Sequence, residues 1–248
     1  MIKKLKAICN KISNNHVNDN YIPVYYANSI KFSKNSKIIN SFLSDYEINK
    51  ATRFYKKEDA LCYSVTHAML RFLLSGTLNL NPRKILIEST DNNKPEILNT
   101  EIDFNISHSA NYGCVAIADN KNLKIGIDLE RIKELKDINV IINDYMSKAE
   151  QEYILNSDNI LSNKKVRFYE IWTRKESLLK MTGIGLVDNL NEISLIEGEN
   201  LIEMVLPENI NFQCDQAFIY TYNTNDFIIS ISFNQPRQVN LIEFKNFL

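Results

Sequence analysis

At 248 residues, 44% hydrophobic and 24% charged, the chain has the composition of a folded globular protein, which excludes whole-chain disorder, collagen-like repeats and low-complexity scaffolds. Its 29 basic and 30 acidic residues leave a net charge of −1, so no nucleic-acid partner held by overall charge is expected. Four scattered cysteines (Cys9, Cys62, Cys114, Cys214) form no C-x-x-C pair, and no apolar run approaches the roughly 18 residues of a membrane span, so a reduced, cytoplasmic protein without a membrane partner is expected.

In chain order, Ser44-Asp45-Tyr46-Glu47 reads as a capping box, the serine capping a helix start and the glutamate three residues on reaching back. Leu61, Val65, Ala68, Met69, Phe72 and Leu73 then recur at helical spacing, with Gly76 as the expected stop. Short strands are predicted at 85–88, 104–106, 113–118 and 124–129, separated by turn residues at Asp91-Asn92-Asn93 and Asp119-Asn120. Ser147-Lys148-Ala149-Glu150 is a second capping box. It precedes a helix predicted over 164–181 and ended by Gly183, and strands return at 217–222 and 226–233. Helices alternating with short, hairpin-spaced strands make the fold class α+β.

One internal echo bears on domain organisation. Arg53-Phe54-Tyr55 with Lys57-Glu58 resembles Arg167-Phe168-Tyr169 with Arg174-Lys175-Glu176, and a capping box precedes each helix. A duplicated α+β unit would account for it, dividing the chain into 1–118 and 119–248 with a site at the seam.

Three segments carry candidate chemistry. In Gly126-Ile127-Asp128-Leu129-Glu130, strand alternation puts Asp128 and Glu130 on one side. The pair reads either as oxygen ligands of a hard cation or as two solvated acids balanced by Arg131 and Lys133. Phe104-Asn105-Ile106-Ser107-His108-Ser109 begins as a strand and ends in small polar groups around a histidine able to donate to phosphate or carry a proton, or simply to serve the fold. No aspartate follows at triad-like spacing, and neither His16 nor His67 has a zinc-spaced partner. From Trp172 to Gly185, Trp172, Glu176 and Lys180 share a helix face; the last two also fit an ordinary i,i+4 pair, and Gly183-Ile184-Gly185 fits a helix end and turn.

Taken together and in this order, the three segments resemble the 4′-phosphopantetheinyl transferase superfamily, in particular its large surfactin-synthetase-activating (Sfp-type) class. The family pattern is an F-N-[IV]-S-H-[ST] strand, then G-[IV]-D-[IL]-E, then W-x-x-K-E-[SA]-x-x-K-x-x-G-x-G. Arg53-Phe54-Tyr55 with Lys57-Glu58-Asp59-Ala60, and Lys94-Pro95, fit the same pattern upstream. The resemblance implies two similar α+β halves related by a pseudo-two-fold axis in a monomer, with coenzyme A between them. It implies transfer of the 4′-phosphopantetheine arm of coenzyme A to a serine of an acyl or peptidyl carrier protein, releasing adenosine 3′,5′-bisphosphate.

By the same resemblance Asp128, Glu130 and Glu176 hold Mg²⁺, or Mn²⁺ in its place. Arg53, Lys94, Ser107, His108 and Lys175 are expected to bind coenzyme A, and Glu176 and Lys180 to serve catalysis, Lys180 at the leaving phosphate. Two stretches depart from the family: Leu61, Cys62 and Tyr63 replace polar or basic residues, and Glu47 stands where a base is common, with Lys50 kept nearby. The pathway served, nonribosomal peptide, polyketide, fatty acid or siderophore, is not legible. The competing expectations are a non-catalytic coenzyme A or carrier binder and another Mg²⁺-dependent phosphotransferase.

Overall fold

Two units form, each packing a four-stranded sheet against one long helix. They divide the chain into a first unit, Met1–Leu123 with Arg237–Leu248, and a second, Lys124–Pro236. The computed structural model describes residues 21–89, 94–120, 122–155, 161–183, 185, 190–196, 201–205 and 216–247; the Asp91-Asn92-Asn93 turn, Cys9, Cys214 and His16 lie outside them.

In the first unit, β1 (Tyr21–Asn28) leads through α1 (Ser36–Phe42) and α2 (Asp45–Ala51) to α3 (Lys57–Leu78). The short strands β2 (Glu88–Ser89) and β3 (Pro95–Glu96) pair with each other, and β4 (Ile102–Ser109) and β5 (Tyr112–Asp119) follow. The second unit repeats the sequence of elements. It runs β6 (Ile125–Arg131), α4 (Ile138–Tyr145), α5 (Lys148–Leu155), α6 (Leu161–Thr182), β7 (Leu201–Val205), β8 (Gln216–Asn223) and β9 (Phe227–Phe233). β1 pairs antiparallel with β5 and β5 with β4; in the same way β6 pairs with β9 and β9 with β8, with β7 at the far edge.

The expected division at 118/119 assigns the C-terminal tail to the second half, but in the fold that tail belongs to the first unit. β10 (Gln238–Glu243) pairs in parallel with β1. Phe244 and Phe247 then enter an aromatic cluster, with ring centroids 5.5 Å from Phe72 to Phe244 and 5.2 Å from Phe42 to Phe247. β1 was hidden in the sequence by Pro23, which demotes a strand because it lacks an N–H. Here Pro23 is paired with Asn240 of β10 and stands one residue before the β5 ladder begins at Val24.

The helix expected to stop at Gly76 continues to Leu78 and ends instead at Asn79, whose φ of 54° is left-handed. A glycine inside a helix costs only about 1 kcal/mol, and Leu78, just beyond it, packs against the first core. The echo between Lys57-Glu58 and Lys175-Glu176 is not one of equivalent positions: the first pair opens α3, whereas the second lies in the last third of α6. The repeat is one of element order. The strand expected at 85–88 is reduced to the two residues of β2, Glu88–Ser89. The remaining expected elements fall near where the patterns put them, with α6 extended at its start and Gly183, at φ 69°, closing it through its N–H to Leu179 O at 2.9 Å.

Candidate active site

β6 alternates as expected. Asp128 pairs across the ladder with Ser230 and Glu130 with Ile228; the intervening Ile127 and Leu129 are fully buried. The face that carries the acids is the one α6 covers, as Gly126 establishes. A Cβ built on Gly126 would stand 1.9 Å from the carbonyl oxygen of Ser177 and 2.3 Å from the backbone nitrogen of Met181. The helix therefore rests directly on the strand at a position only glycine can occupy. Two residues on, on the same side, Asp128 meets the helix face that carries Glu176 and Lys180.

Lys180 Nζ donates to Asp128 Oδ1 at 2.6 Å, with Asp128 buried. Burial, then the charge of Asp128, raises the pKa of Glu176; Lys180 opposes the rise and Glu130 adds to it. All four groups thus act on one another within the second unit. A second set of contacts holds the sheet side of α6: Thr173 Oγ1 and Ser230 Oγ lie 2.8 Å apart, Ser177 Oγ and Ser232 Oγ 2.7 Å apart, and Arg174 Nε donates to Thr221 Oγ1 at 3.0 Å. These buried hydroxyls fix the helix against β8 and β9, so Glu176 is not free to rotate away from the strand.

Among the described residues no three histidine, cysteine, aspartate or glutamate side chains stand ready as a closed metal cage. The donor chemistry nevertheless fits a hard divalent cation: carboxylates only, on one face, with mutual repulsion that a cation would relieve. Asp128, Glu130 and Glu176 are the residues that could hold it.

Lys175, expected at a phosphate, is enclosed by the fold. Its side chain is fully buried, and Nζ is met by Glu150 Oε2 at 2.8 Å, Leu190 O at 2.7 Å and Ile193 O at 2.5 Å. An ammonium has three donors, and three acceptors of the fold surround this one. Burial lowers its pKa while Glu150 opposes the shift. Neighbours on a helix point about 100° apart, so Lys175 leaves α6 in another direction from Glu176; what the sequence could not show is that Glu150 and two carbonyls enclose that side.

The remaining expected residues lie in the first unit. Arg53 follows α2 and lines a surface pocket with Tyr46, Asn49, Lys50 and Phe54. Lys50 sits over the Tyr63 ring at 5.3 Å, a pocket-wall contact that the sequence did not signal. Lys94 binds Asp103 of β4 at 3.1 Å. Ser107 is buried and His108 exposed near the end of β4, and as successive strand residues they leave on opposite faces. The departures also find their reasons. Glu47 closes the capping box of α2 and binds Arg71 Nε at 2.5 Å, while Tyr63 packs between Phe54 and His67 at centroid distances of 5.3 and 4.1 Å.

Residues 124–232 match the 4′-phosphopantetheinyl transferase superfamily, and residues 32–120 match the family described as 4′-phosphopantetheinyl transferase, N-terminal. The chain belongs to the 4′-phosphopantetheinyl transferase superfamily. It is 30% identical over 187 residues to the 4′-phosphopantetheinyl transferase ffp of Bacillus subtilis, covering 75% of this chain and 79% of that one. To the transferase Sfp of Bacillus subtilis it is 28% identical over 204 residues, 82% and 86% of the two chains. To the transferase HetI of Nostoc it is 30% identical over 157 residues, 62% of this chain and 64% of that one, slightly less than two thirds of the relative. Each matched segment contains one of the long helices, and 124–232 contains Asp128, Glu130, Glu176 and Lys180. No helix among the described residues is long and apolar enough to cross a membrane.

Proposed function

We propose that this phosphopantetheinyl transferase moves the 4′-phosphopantetheine arm of coenzyme A to a serine hydroxyl of an acyl or peptidyl carrier protein, as a holo-carrier synthase. A serine oxygen–phosphorus bond forms, the phosphoanhydride bond of coenzyme A breaks, and adenosine 3′,5′-bisphosphate leaves. The observation that carries the proposal is the convergence of Asp128 on β6 with Glu176 and Lys180 on α6, inside the segment that matches the superfamily.

The chain's own groups have separable tasks. Asp128, Glu130 and Glu176 would hold Mg²⁺ or Mn²⁺, a hard cation that supplies charge neutralisation at the pyrophosphate when bound. Glu176, whose proton affinity burial raises, is suited in its ionised form to accept the serine proton. Lys180 carries its ammonium into the same cluster and can meet charge on the departing bisphosphate. Arg53 and Lys50, as pocket cations, support an anionic nucleotide portion on the first unit, and Lys94, Ser107 and His108 are assigned to coenzyme A on the family pattern. Lys175 is left out of the binding set. A single chain containing both copies of the element order supports a monomer, and the cytoplasm is the compartment in which we place it.

Incubation with Mg²⁺, coenzyme A and a panel of apo carrier domains, read by intact mass, tests the proposal. Addition of one phosphopantetheine group on a carrier serine is expected. Unmodified carriers across the panel would defeat the transferase assignment, and full transfer in excess chelator would defeat the metal assignment alone.

A further inference from the structure

Lys175 is the second copy of a device also built into the first unit. In α3, Arg71 is the fifteenth of 22 residues; in α6, Lys175 is also the fifteenth of 22. Each pairs with the glutamate that closes a capping box on the preceding short helix: Arg71 Nε with Glu47 Oε2 at 2.5 Å, Lys175 Nζ with Glu150 Oε2 at 2.8 Å. In both boxes the serine N–H reaches the same glutamate, Ser44 at 2.8 Å and Ser147 at 2.7 Å. Each cation also ties two backbone carbonyls of the segment after its helix. Arg71 Nη1 binds Pro82 O at 2.6 Å and Ile85 O at 3.0 Å, and Lys175 Nζ binds Leu190 O at 2.7 Å and Ile193 O at 2.5 Å. Glu150 adds a bond from the Leu195 N–H at 2.8 Å. The element after each cation differs. In the first unit it is Phe72, fully buried in the core; in the second it is Glu176.

We infer that the Glu150–Lys175 clamp is a positioning device for Glu176, fixing the rotation of α6 from the side opposite the hydroxyl contacts with β9, and that Lys175 does not touch substrate. Adjacent helix residues are rigidly coupled in direction, so a helix gripped at Lys175 on one side and at Thr173 and Ser177 on the other holds Glu176 toward Asp128. The inference rests on the reading of Asp128, Glu130 and Glu176 as the acids that hold the metal.

The test compares Lys175→Met with Ile154→Ala, a cavity variant in the core between α5 and α6, both assayed well below their unfolding temperatures. Lys175→Met is expected to lower kcat by about 10-fold to 100-fold with the KM for coenzyme A little changed, because misplacing a catalytic group by a fraction of an ångström costs on that scale. Mn²⁺ binding, read by electron paramagnetic resonance without turnover, should weaken by about 10-fold. Ile154→Ala, with a comparable loss of thermal stability, should leave both within about twofold. Lys175→Arg should restore kcat, because Arg71 makes the equivalent bonds in the first unit. If Lys175→Met does not fold, Glu150→Gln carries the same comparison. A selective rise in the KM for coenzyme A would make Lys175 a substrate contact and overturn the inference. So would kcat and Mn²⁺ values for Lys175→Met matching those for Ile154→Ala. Absence of Mn²⁺ binding in the unaltered protein would defeat the metal reading instead, and the kcat comparison would still decide the clamp.

Discussion

In the first unit the residue after the buried cation is Phe72, packed against Phe42, Phe244 and Phe247; in the second it is Glu176, turned toward Asp128 and Lys180. Around those two residues the frame is the same: a four-stranded sheet, a capping-box glutamate, a cation at the same helical position and a pair of tied carbonyls. The helix–sheet contacts differ. α3 sits in a core dominated by aliphatic and aromatic side chains, whereas α6 meets its sheet partly through Thr173, Ser177, Ser230 and Ser232. The comparison teaches that a buried ion pair is part of the scaffold in both units. The units differ at the next residue, Phe72 in one and Glu176 in the other, and it is there that the proposed chemistry would enter.

The largest effect expected is on the residue that distinguishes the units. Glu176→Ala and Asp128→Ala should each lower transfer by about 10²-fold or more, the scale of losing a transition-state electrostatic contact. Midpoints of urea unfolding should move little, since removing one of several crowded acids relieves repulsion. Activity within a few-fold of the unaltered enzyme would place the chemistry elsewhere.

The glycines at the two helix–sheet contacts sharpen the comparison. In Gly126→Ala the new Cβ meets backbone, the Ser177 carbonyl at 1.9 Å, which no side-chain rotation relieves. A loss of about 3 kcal/mol is expected, the upper range for overpacking. In Gly113→Ala the obstacle is the Thr66 side chain, whose Oγ1 lies 1.8 Å from the new Cβ. Thr66 can turn its Oγ1 away at the cost of its bond to Cys62 O, but its Cβ stays 2.9 Å from the new one, so about 2 kcal/mol is expected, part of it restored by adding Thr66→Ala. Equal losses in urea titrations would remove the distinction.

Acid should test the first clamp. Burial pushes the Glu47 carboxyl up, but its bond to His67, the charge of Arg71 and the Ser44 N–H together hold it at about 2, below the ordinary 4.5. A depressed folded-state pKa gives stability that is present above the unfolded value and lost as pH falls through the folded one. Stability should therefore decline between about pH 4.5 and 2, by on the order of 3 kcal/mol. Glu47→Gln should flatten that part of a stability-against-pH curve, and an unchanged slope would refute the assignment. The smallest effect belongs to the exposed counterpart of these buried pairs. Arg83 meets Asp45 at 2.6 Å, but the Asp45 side chain is 88% exposed. Asp45→Asn should shift thermal unfolding by the equivalent of about 0.5 kcal/mol or less, and a larger loss would mark a coupled network.

Much of the site was legible because it is local. Strand alternation put Asp128 and Glu130 on one side, helical spacing put Glu176 and Lys180 on another, and both capping boxes form as read, Ser44 with Glu47 and Ser147 with Glu150. The surroundings of Lys175 were not legible for the same local reason: sequence proximity to Glu176 carries no information on what packs over a neighbouring side chain. Gly76 was misread because a stop signal depends on whether apolar burial beyond it outweighs its helix cost.

Strand and helix periodicity, capping chemistry and the order of three motifs thus determine the α+β class and the family from sequence alone, since each motif and each element depends on residues close to one another in the chain. The assignment of 237–248 to the first unit, the glycine contact between α6 and β6 and the burial of Lys175 against Glu150 depend on residues far apart in the chain. They are decided only when the sheets close and the desolvation of each charge is set by what packs over it.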